Sequence, residues 1–298
     1  MTVFITGINS FVGKRLTEKL DDLLIPYHGI DISGSTSKKI KRINLNSNDL
    51  IKSIENNTTS VVHLAAISRE QDCVNNEVKC FDVNISGTIN LMDAVIRKNI
   101  GKVIFASTEW VYDEEKSINA IDEEHLIDTN KISSSYGLSK FLGENLIRNI
   151  CEKKNICYQI LRFGIIYGAR KNNWSAVENL FFSVMKSNEI KIGSKKTARC
   201  FVHVDDICDA IIQSLEQKES NIFNVQFHKP ITLEEIINTS CSILKKKVLI
   251  KEDKSKIPSI RNISSKKIKA MTNWTPKFDL LKGLNSLNKY FNKKNDSS

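Results

Sequence analysis

The stretch of sequence that decides the fold is Thr2-Val3-Phe4-Ile5-Thr6-Gly7-Ile8-Asn9-Ser10-Phe11-Val12-Gly13. Its first half is a short β-branched and apolar run, which is typical of a buried strand. Gly7 and Gly13 enclose a turn, and an amphipathic segment from Leu16 to Leu23 follows. A strand, a glycine turn and a helix in this order bring backbone amides and a helix N-terminus to a pyrophosphate. Because Ser10 stands where a middle glycine is expected, an ordinary turn between a strand and a helix is the alternative interpretation of this stretch taken alone.

The next strand-like run ends at an acidic residue. The run is Tyr27 to Ile30, and Asp31 follows it roughly twenty residues after the glycine turn. A carboxylate at this place accepts hydrogen bonds from the adenosine ribose hydroxyls of a dinucleotide and repels a 2′-phosphate. We therefore expect NAD as the cofactor instead of NADP, with a solvated loop aspartate as the alternative.

Strand-like and helix-like segments alternate along the first half of the chain. After Asp31 the predicted strands are Lys41–Leu45, Val61–Ala66, Val103–Thr108 and Cys157–Phe163, and the predicted helices are Asp49–Ile54, Phe81–Ile96 and a segment that begins near Tyr136. Near-continuous apolar strands between helices indicate an α/β fold, a Rossmann-type doubly wound parallel sheet covered on both faces. Ligands of such sheets bind beyond the carboxyl ends of the strands, where this sequence places Gly7, Asp31, Ala65, Thr108 and Phe163.

The pattern loosens after Gly168, which indicates a smaller C-terminal α/β region. We expect an NAD-binding domain over residues 1–168, to which residues 205–226 return, and a mainly substrate-binding region over residues 169–298. The elements expected there are a helix over Trp174–Lys186, strands over Glu189–Ile192, Arg199–Val204 and Ile222–Val225, a helix capped by Asp205 or Asp206, helices near Leu233–Leu244 and Leu280–Phe291, and a disordered tail over residues 292–298.

The composition argues against a membrane protein and against a metal centre. No apolar run approaches the roughly 18 residues that span a membrane, and the N-terminal apolar stretch is short enough to be the first strand. The seven cysteines are scattered without a Cys-x-x-Cys pair, and the five histidines are scattered as well. We expect reduced thiols, a cytoplasmic location and no metal site.

The formal net charge of +10 is concentrated at the C-terminal end. Residues 245–298 contain fifteen Lys and Arg against four Asp and Glu. Such a basic region can bind nucleic acid, but it lacks interleaved aromatic residues, and a solvated surface rich in Lys and Asn explains it as well. We do not expect nucleic acid as a partner, and a mild attraction for anionic nucleotides fits the same charge.

The stretch that points to chemistry is Tyr136-Gly137-Leu138-Ser139-Lys140. On a helix, a spacing of four places the tyrosine and the lysine on one face, about one turn apart. A nearby ammonium lowers the pKa of a tyrosine toward neutrality, so the pair can move a proton to or from a sugar or alcohol hydroxyl. Three other tyrosines, at positions 112, 167 and 290, have the same spacing to a lysine, but only Tyr136 opens a long amphipathic run after candidate cap residues, Ser133–Ser135.

Together these motifs resemble the NAD-dependent epimerase/dehydratase family of the extended short-chain dehydrogenase/reductases, which acts on nucleotide sugars. The resemblance covers nearly the whole chain. The matching segments are Thr6–Gly13, His63–Ala66, Asn84 with Gly87 and Thr88, Phe105–Tyr112, Tyr136 with Lys140, Arg162–Gly168, Arg199–Asp206, and Trp274–Pro276 with Gly283. The sequence departs from the family at Ile165, where an asparagine that contacts the diphosphate is usual, and at Cys200, where an aspartate is usual.

The resemblance implies a role for each matching residue. Thr108, Tyr136 and Lys140 would be catalytic: Lys140 would hold the nicotinamide ribose and tune Tyr136, while Thr108 bonds the substrate oxygen. Contacts to NAD would come from Gly7, Ser10, Phe11, Val12, Gly13, Asp31, Ile32, Asn44, Leu45, Leu64, Ala65, Ala66, Asn84, Tyr136, Lys140 and Phe163. Contacts to a nucleotide-diphosphate sugar would come from Thr108, Ile165, Ile190, Lys191, Ile192 and Arg199. A homodimer is also expected.

The residues after Thr108 favour epimerisation within this family. Relatives that dehydrate or decarboxylate carry an acid at the second residue after this threonine, and Trp110 stands there. Glu109 would point to the opposite face if the strand continues. A 4-epimerase needs only the three catalytic residues, because the hydride leaves the sugar and returns to the other face of the ketone.

We therefore favour C4 epimerisation of a nucleoside-diphosphate hexose through a 4-keto intermediate. The alternatives within the enzyme class are a 4,6-dehydratase and a 4-ketoreductase. The alternative of a different class is a non-catalytic NAD(H)-binding regulatory or RNA-associated protein. Such proteins commonly lose the tyrosine or the lysine, and both Tyr136 and Lys140 are present here.

Overall fold

The computed structural model of the chain describes residues 1–112 and 120–295, with side chains up to Asn292. The described residues form two compact units. The first contains those within Met1–Glu115, Glu124–Phe163 and Cys208–Phe223, and the second contains those within Lys116–Glu123, Gly164–Ile207 and Asn224–Ser298. The boundary falls at Phe163 instead of residue 168, because the Gly164 amide already donates to the carbonyl of Val225 in the second unit.

The secondary structure follows the alternation expected from the sequence. The strands are β1 (Val3–Thr6), β2 (Tyr27–Asp31), β3 (Ile40–Arg42), β4 (Ser60–His63), β5 (Lys102–Thr108), β6 (Cys157–Phe163), β7 (Ile165–Tyr167), β8 (Glu189–Ile192), β9 (Ala198–Arg199), β10 (Phe201–His203), β11 (Asn221–Val225), β12 (Ile231–Thr232) and β13 (Leu249–Glu252). The α-helices are α1 (Phe11–Asp22), α2 (Leu50–Ser53), α3 (Glu70–Asn75), α4 (Glu77–Phe81), α5 (Gly87–Arg97), α6 (Ser135–Lys154), α7 (Ala176–Lys186), α8 (Val204–Glu216), α9 (Leu233–Leu244), α10 (Lys266–Met271) and α11 (Leu280–Asn295). A π-helical turn spans Asp82–Ser86, and 3₁₀ turns span Glu109–Tyr112 and Thr129–Lys131.

The main sheet has seven strands within the described residues, in the order β11-β6-β5-β4-β1-β2-β3. β1 pairs in parallel with β2 and β4, and β5 pairs in parallel with β4 and β6. The register sets Thr6 opposite His63 and Thr108 opposite Phe163. Because the strands are parallel, their carboxyl ends meet at one edge. The predicted Rossmann-type α/β fold is confirmed.

The core of the first unit is built from the strands and the inner faces of the helices. Every residue of β1 and β4 is buried, as expected for central strands covered on both faces. Phe4, Leu91 and Ile160 lie in one buried apolar cluster. Burying one such side chain contributes roughly 1.5–3 kcal/mol, so this cluster fixes the sheet that carries the loops at its carboxyl edge.

The second unit contains short paired strands and three longer helices. β7 pairs with β10 and β8 with β13 in parallel, while β9 and β12 are antiparallel. Helices α7 and α9 each begin with a capping box, formed by Ser175 with Glu178 and by Thr232 with Glu235. The strand predicted over Arg199–Val204 is divided at Cys200, because the residues before it pair with β12 and those after it pair with β7.

The C-terminal helix is longer than expected. α11 continues to Asn295, so the start of the disordered tail at residue 292 is wrong, and residues 296–298 lie outside the described residues. Leu284, Leu287 and Phe291 are buried at helical spacing. Phe291 anchors the last turns in the apolar cluster of the second unit, which allows the polar residues after it to continue the helix.

Asp205 and Asp206 lie within the first turn of the helix that one of them was expected to cap. α8 starts at Val204, which places both aspartates in its first turn. The Asp206 carboxylate instead accepts hydrogen bonds from the amides of Lys277 at 2.8 Å and Phe278 at 3.1 Å, and its carbonyl accepts one from Trp274 Nε1 at 2.8 Å. Asp206 therefore fastens the Trp274 segment to α8 within the second unit.

Two cysteines are joined, which corrects the expectation that all seven are reduced thiols. Cys73 of α3 and Cys80 of α4 form a disulfide, and both are fully buried. The chain turns between the two short helices at Asn76, which brings the cysteines together across a spacing that matches no common cysteine motif. The expectation of a reducing compartment rested on free thiols, and Cys73 and Cys80 do not support it.

Candidate active site

The glycine turn after β1 is built so that only glycine fits at its two ends. Gly7 has φ +71°, and a Cβ atom there would lie 2.8 Å from the Ala65 amide nitrogen. A Cβ atom on Gly13 would lie 2.5 Å from the Gly7 carbonyl oxygen. Ser10, in the place of a middle glycine, caps α1 by accepting the Gly13 amide at 3.0 Å. The turn and the N-terminus of α1 thus fit a dinucleotide phosphate.

Asp31 lies at the carboxyl end of β2 and holds the glycine turn in place. Its Oδ2 accepts the Asn9 amide at 2.9 Å, and its Oδ1 accepts the Ser33 amide at 3.0 Å. The sequence did not indicate these hydrogen bonds, which fix the distance between the Asp31 carboxylate and the glycine turn. Ile32, the next residue expected to contact the cofactor, is 67% exposed.

The segment after β4 is held by a chain of hydrogen bonds through His63. The Ala65 amide donates to Thr6 Oγ1 at 3.2 Å, Thr6 Oγ1 lies 2.7 Å from His63 Nδ1, and His63 Nε2 lies 3.0 Å from Thr88 Oγ1. Thr88 in turn donates to the Asn84 carbonyl at 2.7 Å. These bonds set the backbone of Leu64, Ala65 and Ala66 beside Gly7, and the three residues are half-buried.

Asn84 reaches this region from the π-helical turn. Its side chain accepts the Ile67 amide at 2.8 Å and donates to the Ile67 carbonyl at 3.0 Å and to Ser139 Oγ at 2.9 Å. The π turn therefore connects the loop after β4 to α6, a use that such turns often have at functional sites.

Asn44 and Leu45, two of the expected cofactor contacts, follow β3. Asn44 is exposed, and Leu45 is 4% exposed in the core, where its side chain packs under Gly87. Only the backbone of Leu45 can therefore reach a ligand. Phe163 ends β6 and is 6% exposed.

The three candidate catalytic residues converge at the end of β5. Thr108 is the last residue of β5, Tyr136 lies in the first turn of α6, and Lys140 follows one turn later. The Thr108 hydroxyl lies near enough to the Tyr136 hydroxyl to affect its ionisation. Ser134 caps the helix by accepting the Gly137 amide at 2.9 Å. Tyr136 is 9% exposed and Lys140 is 3% exposed, so both are desolvated.

Burial dominates the acid–base properties of this group. It raises the pKa of Tyr136 to about 12, although the nearby Thr108 hydroxyl lowers it. Burial lowers the pKa of Lys140 to about 7, although the Glu144 carboxylate raises it. The expectation that Lys140 brings the tyrosine pKa toward neutrality is not met by these residues alone, because desolvation outweighs the favourable contacts.

The strand that carries Thr108 does not continue into Glu109. Residues Glu109–Tyr112 form a 3₁₀ turn, and Glu109 is 1% exposed. The alternation that would point Glu109 to the opposite face therefore ends at Thr108. The sequence had not indicated a buried carboxyl group directly after Thr108.

The expected substrate contacts other than Thr108 lie in the second unit. Ile190 is buried in β8, with Lys191 exposed and Ile192 half-buried beside it, and Ile165 lies half-buried in β7. The Arg199 guanidinium donates to the Ser259 carbonyl at 2.7 Å and to Ser259 Oγ at 3.1 Å.

The structure brings Arg261 next to the segment of Arg199. Its amide donates to the Ala198 carbonyl at 3.2 Å, and Ala198 and Ile260 form a bridge. Two arginines, Arg199 and Arg261, therefore lie on adjacent segments, although they are far apart in sequence. No group of three or more His, Cys, Asp or Glu side chains suited to a metal ion occurs in the part of the chain that the structure describes.

Both the sequence and the fold of this chain match those of known proteins. The profile of the NAD dependent epimerase/dehydratase family matches residues 3–225. The chain belongs to this family. NAD is its cofactor, and it is an enzyme of the epimerase/dehydratase type. The matched region contains the glycine turn, Thr108, Tyr136 and Lys140.

Two relatives match over most of their length. A protein of Methanocaldococcus jannaschii that is provisionally named UDP-glucose 4-epimerase is 27% identical over 300 residues, which cover 95% of each chain. A UDP-N-acetyl-alpha-D-glucosaminuronate decarboxylase of Bacillus cytotoxicus is 26% identical over 248 residues, which cover 78% of this chain and 77% of that one. The two names describe different reactions.

A solved structure shows the same fold. The UDP-glucose 4-epimerase of Thermotoga maritima with UDP-glucose superposes with a TM-score of 0.88 over 99% of both chains, at 22% identity. Among the described helices, none has both the length and the apolar character that a membrane span requires.

Proposed function

We propose that this protein is an NAD-dependent epimerase that inverts C4 of a nucleoside-diphosphate hexose through a 4-keto intermediate. The observation that carries the proposal is the grouping of Thr108, Tyr136 and Lys140 in the same unit as the glycine turn. A UDP-hexose is the first substrate to test, because the relatives from M. jannaschii and T. maritima have UDP-glucose in their names.

Each residue of the group has a part that follows from its chemistry. NAD, when bound, supplies the acceptor and then the donor of the hydride on C4. Tyr136 takes the proton of the C4 hydroxyl and later returns it, while Thr108 holds the same oxygen by a hydrogen bond. Lys140, when charged, stabilises the Tyr136 phenolate. Gly7, Gly13 and Asp31 would hold the dinucleotide.

The second unit is proposed to bind the nucleotide part of the substrate. Arg199 and Arg261 supply positive charge on adjacent segments, which suits a diphosphate. The stretch Ile190–Ile192 offers an apolar surface for the base. Under this proposal the first unit binds NAD and performs the reaction.

The experiment that tests the proposal follows substrate turnover by NMR with UDP-, GDP-, dTDP- and CDP-hexoses. We expect interconversion of C4 epimers without consumption of external cofactor. Tyr136→Phe should reduce kcat by about 100- to 10,000-fold, because it removes the proton-transfer group. Folding and NAD binding should be nearly unchanged.

Tyr158→Phe is the matched control, because its hydroxyl bonds Glu152 at 3.2 Å, away from the catalytic group. Full activity of Tyr136→Phe would refute the assignment of Tyr136 as the acid and base. Stoichiometric consumption of added NADH or NADPH would indicate a ketoreductase. Absence of turnover with every hexose would favour the non-catalytic alternative.

A second candidate function is supported by Glu109. Elimination of water requires a further acid or base beside the tyrosine, and Glu109 is a buried carboxyl group next to Thr108. A stable 4-keto-6-deoxy product from any hexose of the panel would establish a 4,6-dehydratase.

Glu109→Gln distinguishes the two reactions. The epimerase proposal predicts that this variant keeps kcat within about threefold of the wild type, since the proton moves through Tyr136 alone. A loss of about 100-fold or more would assign Glu109 a chemical role and favour elimination.

We also propose a homodimer that forms through α5 and α6. Ile89 of α5 is 46% exposed, and Leu142 of α6 is 43% exposed. Large apolar side chains on the outer faces of two neighbouring helices are suited to a symmetric contact between two copies of a chain.

A further inference from the structure

Glu144 is a buried carboxylate that the proposed reaction does not use. It lies in α6, one turn after Lys140 and two turns after Tyr136, and it is 1% exposed. Spacings of four place the three side chains on one face of the helix. Because a buried carboxylate is destabilising unless it is paired, the groups that hold it determine what it can do.

Arg162 and Ser107 hold the Glu144 carboxylate. Arg162, 4% exposed in β6, donates from Nε to Oε1 at 3.0 Å and from Nη2 to Oε2 at 2.7 Å. Ser107 donates to Oε1 at 2.5 Å. Ser107 directly precedes Thr108 in β5 and lies opposite Arg162 in the register of the two strands. The carboxylate therefore fastens the helix of Tyr136 and Lys140 to the strand of Thr108.

Tyr112 completes the surroundings of Arg162. Its hydroxyl accepts from Arg162 Nη1 at 2.7 Å, and the guanidinium lies 5.0 Å from the centre of its ring. Glu144 and Tyr112 together bond three nitrogens of the guanidinium, and a two-point arginine–carboxylate pair has a fixed geometry. Glu144 is thus held in one position relative to Lys140.

The charges around Lys140 make Glu144 its supporting carboxylate. Burial and the charge of Lys140 lower the pKa of His63 in β4 to about 3, so this neighbour is neutral. Arg162 in β6 is paired with Glu144. The other charged groups on the elements packed against α6 are Glu70 and Asp72 in α3, Glu77 and Lys79 in α4, Asp82 in the π turn, Asp93 and Arg97 in α5, Lys102 in β5, and Glu109 in the 3₁₀ turn. Glu70 and Glu77 bind the first turn of α6, and Asp93 and Arg97 pair with each other. The Glu144 field raises the pKa of Lys140 against the effect of burial.

We propose that Glu144 is a positioning residue that acts through Lys140: its carboxylate, fixed by Arg162 and Ser107, favours the charged form of Lys140 and keeps its ammonium in place beside Tyr136. The proposal rests on the proposed function, in which a charged Lys140 stabilises the Tyr136 phenolate. It assigns Arg162 a supporting part, since the guanidinium holds the carboxylate without contacting the reacting atoms.

The test follows the ionisation of Lys140 in the full-length protein saturated with NAD. The NMR chemical shift of the Lys140 side chain, in protein with ¹³C-labelled lysine, is recorded against pH, and its signal is assigned by its loss in Lys140→Met. Glu144→Gln is combined with Arg162→Met, because the single change would leave a buried guanidinium without its carboxylate and can prevent folding.

In the double variant we expect the midpoint of Lys140 ionisation to fall by about one pH unit, because the Glu144 carboxylate no longer favours the charged lysine. We also expect kcat to fall by about tenfold, with KM changed by less than about threefold. An unchanged midpoint in the folded double variant would overturn the proposal.

Two further variants separate charge from packing. Ser107→Ala removes one hydrogen bond and keeps the carboxylate, so its midpoint should stay within about 0.3 units of the wild type. A shift as large as that of the double variant would show that the hydrogen bond from Ser107 matters and the charge of Glu144 does not. That result would overturn the proposal.

Asp209→Asn is the matched control, because it neutralises another ion-paired carboxylate of the same unit, the partner of Lys19. It should leave the midpoint unchanged, and an equal shift there would also overturn the proposal. Since the titration needs no sugar, failure of the hexose panel would refute the proposed function and leave this test intact.

Discussion

At the scale of single residues, the buried charge of Lys140 serves the proposed reaction but lowers the stability of the fold. Burial lowers its pKa from 10.5 to about 7. Between these two values the unfolded chain binds a proton that the folded chain does not, so the stability of the fold rises with pH. Below pH 7 both forms are charged, and the folded state bears the whole cost of desolvation.

Lys140→Met should therefore stabilise the protein while it abolishes turnover. We expect the free energy of unfolding to rise by a few kcal/mol at pH 6 to 7, because the desolvated charge is removed. The gain should shrink by about 1.4 kcal/mol for each pH unit above that range, until the lysine is neutral in both states.

Denaturant unfolding at pH 6.5, 8 and 9.5 measures this effect. Lys153→Met is the control on the same helix, because Lys153 is exposed and should show no such dependence. A Lys140→Met protein that is less stable than the wild type at pH 6.5 would contradict the prediction.

At the scale of secondary-structure elements, α3 and α4 hold the first turn of α6. Glu70 of α3 accepts the Tyr136 amide at 3.1 Å and also bonds Ser134. Glu77 of α4 accepts from Ser135 Oγ at 2.7 Å. Cys73, Cys80 and Tyr136 pack in one cluster, so the disulfide between these two helices lies next to Tyr136.

Glu70→Ala should loosen the start of α6 without unfolding the protein. We expect kcat to fall by about tenfold, because small displacements of a proton-transfer group lose most of its effect. Amide hydrogen exchange in residues 134–140 should become faster, since the Tyr136 amide loses its acceptor.

Glu77→Ala is the control, because Glu77 is exposed and bonds a side chain instead of the helix backbone. Its exchange and activity should stay close to those of the wild type. Equal effects of the two variants would show that Glu70 has no special part in holding Tyr136.

At the scale of the whole molecule, the proposed homodimer gives a direct prediction. Leu142→Glu should convert the dimer into a monomer, because it places a charge in an apolar contact between two copies of α6. Light scattering after size-exclusion chromatography measures the mass. Leu126→Glu changes a residue that is 90% exposed outside the two helices, and it should leave the mass unchanged. A wild-type protein that is monomeric at micromolar concentration would rule out the proposed contact.

Some features of this protein follow from the sequence alone because they depend on local geometry. Gly7 and Gly13 predict the turn after β1, since the backbone at one has positive φ and the other has no room for a Cβ atom. Apolar strands between amphipathic helices predict the parallel sheet, which places Thr108 at its carboxyl edge. The spacing of Tyr136 and Lys140, after a serine cap, predicts their common face on α6.

Other features exist only after the chain has folded, because they join residues that are distant in sequence. Glu144 meets Arg162 across 18 residues and Ser107 across 37, and Glu70 meets the Tyr136 amide across 66. The Cys73–Cys80 disulfide depends on the turn between α3 and α4. The pKa values of Tyr136 and Lys140 depend on burial, which results from the packing of several elements at once. The sequence determines which groups are available, whereas tertiary packing determines their distances and hydration, and hence their charge.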